Sequence, residues 1–126
     1  METDVFVATR DDVRRGKTPE YEANDLRVSV KGISPEEFAQ LDFLVTGNDE
    51  REPRYVGGEN EETCFFEFDD EFVAALAKLP PVEQARVADE WAGDLDGSMA
   101  EYLGRICALA DRALRGNNHL FLCIST

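Results

Sequence analysis

The sequence predicts an α+β fold, a single domain over residues 1–126 in which a mixed or antiparallel sheet of about four strands packs with about three to four helices, ordered β-β-α-β-α-α-α-β. Three observations lead there. Ser98 to Arg115 repeats apolar side chains at the helical period and is followed by an almost wholly apolar run, His119 to Ile124. Leu26 to Lys31 alternates apolar and polar at period two, the pattern of a strand with one wet face. The helical patterns bunch late in the chain, which suits helices packed on a sheet.

In chain order, Val5, Phe6, Val7 and Ala8 mark a short, mostly buried strand from Asp4 to Thr9, expected to pair with the last strand. Asp11 to Gly16 has some helical character, but Gly16 and Pro19 punctuate it, and the reading through Asn24 is loop. The alternating strand Leu26 to Lys31 belongs at a sheet edge. Ser34-Pro35-Glu36-Glu37 opens a helix: Ser34 caps, Pro35 fits the first helical position and Glu37 returns a hydrogen bond to complete a capping box. Phe38, Leu41 and Val45, with Leu44 alongside, form its buried stripe to about Thr46, and Gly47-Asn48 stops it. Asn48 to Glu62 turns polar, with Pro53, Gly57 and Gly58, and reads as the longest irregular segment, the kind of place that often carries function.

Cys64 to Phe68 reads as a strand leading directly into a short helix capped by Asp69, with Phe72, Val73, Leu76 and Leu79 inward. Pro80-Pro81 ends that helix and starts the next, where Val82, Ala85, Ala88, Trp91 and Ala92 share a face until Gly93. Asp94 to Gly97 connects, and Asp96 or Ser98 can cap the following helix. In that helix Met99, Leu103, Ile106, Cys107, Ala110, Ala113 and Leu114 face inward. Outward lie Glu101 and Arg105, then Asp111 and Arg115, each acid one turn before its base. Gly116-Asn117-Asn118 tolerates the positive φ a helix stop requires. His119 to Ile124 lacks polar alternation, so both its faces should be covered and the strand should lie inside the sheet.

Composition narrows the function classes. A net charge of −14 argues against nucleic-acid binding by phosphate neutralisation, since the one basic cluster, Arg10, Arg14, Arg15 and Lys17, is interrupted by Asp11 and Asp12. No apolar run of about 18 residues offers a membrane span, and the acidic N-terminus is unlike a signal peptide, so a cytoplasmic location is expected. Cys64, Cys107 and Cys123 are far apart in apolar segments and are expected to be reduced, unligated core residues. Adaptation to a salty cytoplasm would leave the same acidic composition.

The short motifs dissolve on inspection. Gly16-Lys17-Thr18 is like the tail of a phosphate loop, yet Asp11 stands where the earlier glycine belongs and Pro19 obstructs the helix. Asp94 to Ser98 has the look of a phosphatase nucleophile loop but follows a helix, and as a calcium loop it would put Arg105 where a bidentate Glu is needed. Capping and a tight turn account for it. His119, the one histidine, shares a strand with Cys123 at a spacing that does not converge on a metal. No catalytic, cofactor or metal residues are assigned.

One stretch stands out. Glu59, Glu61, Glu62, Glu67, Asp69, Asp70 and Glu71 follow one another with no base between them. Such a run can be solvated, gather cations or receive a basic partner. Glu59, Glu61, Glu62, Asp70 and Glu71 are the candidate partner-binding residues. In size and acidity, with no shared motif, the chain resembles bacterial immunity proteins and antitoxins, which neutralise basic toxins by charge complementarity. That resemblance implies a non-enzymatic interaction or inhibitor protein that binds a basic protein. The alternative is a small enzyme or small-molecule-binding domain with a pocket near residues 48–62.

Overall fold

A computed structural model describes residues 2–16, 26–49, 51–60, 62–92 and 98–125, with only the backbone of Lys31, Glu59, Asn60, Ala92 and Ser98. The expectations for Lys17 to Asn24 and for Gly93 to Gly97 lie outside the described residues, as does Glu61, and so does the capping role of Ser98. The fold is α+β, one sheet of five strands in the order β2-β1-β5-β4-β3, every neighbouring pair antiparallel. The strands are β1 (Glu2–Ala8), β2 (Arg27–Lys31), β3 (Arg54–Asn60), β4 (Thr63–Glu67) and β5 (His119–Ser125). The helices are α1 (Arg10–Arg14), α2 (Pro35–Thr46), α3 (Asp70–Ala77), α4 (Pro81–Ala92) and α5 (Ser98–Arg115).

The last strand takes the central place its apolar run demands. Leu120 to Ile124 are all buried, with β1 on one side and β4 on the other. Because side chains alternate between faces, Leu120, Leu122 and Ile124 enter the core under the helices, while Phe121 and Cys123 turn to the opposite face. As expected, β1 pairs with β5 and β2 is an edge. Two cross-strand rows define the faces. Under the helices runs Val28, Val5, Leu122, Phe66, Tyr55; on the other face runs Arg27, Phe6, Phe121, Glu67, Arg54.

Most helix expectations hold. Ser34 and Glu37 form the capping box of α2, and Gly47 ends it at φ +75°, a conformation glycine adopts without strain. Asp69 caps α3 by accepting from the Glu71 amide. On α5 the inward face is buried as read, joined by Tyr102 and Leu109, while Leu114 is 45% exposed. Asp111 and Arg115 pair at 2.9 Å. Among the described residues Glu101 and Arg105 form no such bridge.

Three readings are corrected. The sheet has a fifth strand, β3, where an irregular segment was expected. Pro53, Gly57 and Gly58 suppress the local strand signal, and β3 exists through pairing with β4, with register shifts at Tyr55/Gly57 and Gly58/Asn60 that accommodate the glycines. A fifth helix, α1, replaces part of the expected loop, because Thr9 accepts from the Asp12 amide and Val13 buries one side. Val82 is 81% exposed, so the inward face of α4 is Val87, Ala88 and Trp91, rotated from the stripe the sequence suggested. Trp91 fixes that rotation: its indole N–H donates to the Glu37 carbonyl at 2.7 Å and its ring packs on Phe38.

Among the described residues no helix is long and apolar enough to cross a membrane. If the two-sided burial of β5 holds the sheet, Phe121→Ala should lose about 3–5 kcal/mol in urea unfolding, whereas Val82→Ala should change stability by less than about 0.5 kcal/mol. Equal effects would contradict the layering.

Candidate functional site

The described side chains of the acidic stretch separate into two places. β4 carries the division: Glu62 stands exposed before its start and Glu67 ends it, roughly 17 Å apart at the usual rise per residue of an extended strand. Glu67 is only 7% exposed, although it sits in a run that reads as surface. Arg10 grips it with two hydrogen bonds, Nε to Oε1 at 2.8 Å and Nη2 to Oε2 at 3.2 Å, and Arg54 donates to Oε2 at 3.0 Å. Burial alone would raise the pKa of Glu67 and is the largest single influence. The hydrogen bond and charge of Arg10, followed by the charges of Arg54 and His119, outweigh it and hold the carboxyl below its ordinary value of 4.5.

A second cluster adjoins it. Asp42 on α2, 2% exposed, accepts from Arg51 at 3.1 and 3.2 Å and from the Thr46 hydroxyl at 2.8 Å. The same guanidinium reaches Asp69 at 3.4 Å and Glu71 at 3.5 Å, tying the end of α2 to the start of α3. Asn48 also donates to Glu71 at 2.7 Å. Asp70 projects outward, with His119 at 3.6 Å. Together Arg10, Arg51, Arg54, Glu52, Glu67 and Asp70 line a cleft of about 320 Å³ beside the 48–62 segment.

The candidate residues therefore do not form one patch. Asp70 and Glu71 stand together at the start of α3, while Glu62 is exposed at the far end of β4. The side chain of Glu59 and all of Glu61 lie outside the described residues. The sequence missed Arg10, Arg51 and Arg54 as partners of this stretch, because they come from α1, the 48–53 connection and β3, and only folding brings them across. The one legible signal was an Arg directly opposite a Glu once β3 and β4 are paired.

The remaining feature is apolar. In the row beneath the helices Val28, Val5 and Leu122 are 0–1% exposed, Phe66 is half-buried and Tyr55 is 61% exposed. The helical layer is off-centre: α5 packs on β1, β5 and β2, and cover fades toward β3. Tyr55 rests its ring edge-on against Phe66 at 5.7 Å, and Val56 beside it is 37% exposed. Cys64, half-buried, shares that face with Phe66. Cys107 is deep in the core, where burial pushes its thiol up to about 12, far from a reactive thiolate.

Among the described residues no three His, Cys, Asp or Glu side chains are grouped to hold a metal ion. No protein-family model matches the chain, and no curated protein or solved structure matches it either.

The lowered pKa of Glu67 sets a pH signature. Its stabilising contribution is complete above the ordinary value of 4.5 and is lost as pH falls through the lower folded-state value, because protonation then breaks the pairs with Arg10 and Arg54. Glu67→Gln should thus cost about 1–3 kcal/mol near neutrality and progressively less in acid. Urea unfolding across pH measures the difference, and a cost independent of pH would contradict the ion-pair origin.

Proposed function

We propose that this protein is a non-enzymatic interaction module that receives a basic protein on the β3 side of its sheet. The observation that carries the reading is the open end of the inner row, where Tyr55 and Val56 stand exposed on an edge strand and half-covered Phe66 lies behind them. An exposed aromatic beside a thinly covered apolar neighbour suits the buried centre of an interface. Exposed Glu52 stands just before β3 and exposed Glu62 just before its partner strand β4, and a chain of net charge −14 favours the approach of a basic body. Inhibition of that partner, as immunity proteins inhibit theirs, belongs to the same proposal. Cys64, Cys107 and Cys123 are thiols and not half-cystines, which supports a reducing, cytoplasmic setting.

The enzyme alternative draws less support. A cleft does lie beside residues 48–62, but its three arginines are each engaged with a carboxylate, and its buried carboxyl, Glu67, is held ionised by Arg10 and Arg54. General acid catalysis near neutrality calls for the opposite shift.

A photo-crosslinking residue placed at Tyr55 should capture a protein rich in Lys and Arg from lysate, and a second at Val82, on the far helix, should not. With that protein in hand, Glu59→Gln, Glu61→Gln and Glu62→Gln combined should slow its association severalfold in surface plasmon resonance, and added salt should do the same. Capture of an acidic protein, or an association rate indifferent to salt and to the substitutions, would overturn the reading.

A further inference from the structure

The two edges of the sheet are attached in different ways. β2 sinks Val28 into the main core and packs half-buried Val30 against it, so that edge is held by apolar burial. β3 has no such hold. None of its described side chains joins either core cluster, its extensive packing is on β4 alone, and Tyr55 meets Phe66 edge-on. In the run from Arg51 to Gly58, Pro53 is the one buried residue. The ladder to β4 is itself interrupted, with register shifts at Tyr55/Gly57 and Gly58/Asn60.

What fastens this run is largely ionic. Arg54 donates to Glu67 at 3.0 Å, and Arg51 donates twice to Asp42 while reaching Asp69 and Glu71. The two principal acceptors are buried carboxylates on elements outside the run, Asp42 on α2 and Glu67 at the end of β4. Taking a cation from a buried carboxylate is costly, so both pairs hold the run closed. The cost is bounded, because neither acid is left without a donor. Glu67 keeps its two bonds from Arg10, and Asp42 keeps the Thr46 hydroxyl.

We propose that Arg51 to Gly58 is a releasable strap, latched by Arg51 and Arg54, which leaves β4 as a unit while the other four strands and the helices stay folded. Both anchors lie at the start of the strap, and the bulged remainder has little apolar area to hold it once they part. Release makes β4 the edge of the sheet. β4 pairs with β5 without a register shift, and a regular edge is open to strand pairing where a bulged one resists it. The strap thereby controls access to that edge. Its latch is made within the chain and stands independently of any partner at Tyr55.

Native-state hydrogen exchange of the whole protein tests this. The amides of Tyr55 to Gly58 and those β4 amides that donate to β3 should open with one shared equilibrium constant, while β4 amides that donate to β5 follow global unfolding. Arg54→Met should raise the shared constant by about tenfold, because a charge-assisted hydrogen bond broken on opening is then already absent. Glu67 keeps Arg10 in that variant, so the fold survives. Arg51→Met combined with Asp42→Asn, which strands no buried charge, should act likewise. Arg86→Met, which removes pairs with Glu83 and Glu90 on α4, should leave the constant unchanged. Phe121→Ala should speed exchange in β5 and not in the strap. Unrelated constants along β3, a strap indifferent to the Arg51 and Arg54 substitutions, or one that quickens with Phe121→Ala would each overturn the proposal.

Discussion

A strand that is apolar on both faces cannot border water on either, and that requirement of β5 organises the rest of the chain. Leu120, Leu122 and Ile124 call for a helical layer, which α5 and its neighbours provide. Phe121 and Cys123 call for a second cover on the reverse face. It comes as a small cluster in which Phe6 stacks on Phe121 at 5.7 Å, Phe65 meets Phe6 edge-on, and Val13 of α1 closes over them. Position inside the sheet follows, since each backbone edge of a buried strand needs a hydrogen-bonding neighbour.

The reverse face is narrow, and its borders are ionic. Along the row Arg27, Phe6, Phe121, Glu67, Arg54 an apolar centre is flanked on one side by Arg27 with Asp4, paired at 2.6 Å, and on the other by Glu67 with its arginines. Ser29 also hydrogen-bonds Asp4. Charges taken out of water here are paired and hydrogen-bonded, the condition under which burial of charge is tolerated. This arrangement removes Glu67 from the acidic surface, and Arg51 partly neutralises Asp69 and Glu71.

What was legible in the sequence follows the strength of local signals. The capping box at Ser34 and Glu37, the amphipathic period of α5 and the unbroken apolar run of β5 each fix an element through neighbours in the chain. β3 was hidden because its glycines and the Pro53 before it oppose strand formation locally, and the pairing that overrides them is supplied by Tyr55 against Phe66 and Arg54 against Glu67. α1 was hidden because a helix of five residues rests on one cap and one buried valine. The site was less visible still. A run of carboxylates looks uniform in sequence, yet Arg10 and Arg54 select Glu67 from it.

Buried on both faces and paired on both edges, β5 should be the last part of the sheet to open, and β3 among the first. Native-state hydrogen exchange reads this directly, residue by residue. The amides of Leu120 to Ile124 should exchange only through global unfolding, their free energies matching that from urea and falling together as denaturant is added. Amides of Tyr55 to Gly58, on a bulged edge with exposed side chains, should exchange through smaller local openings. Protection in β5 no greater than in β3 would contradict the account.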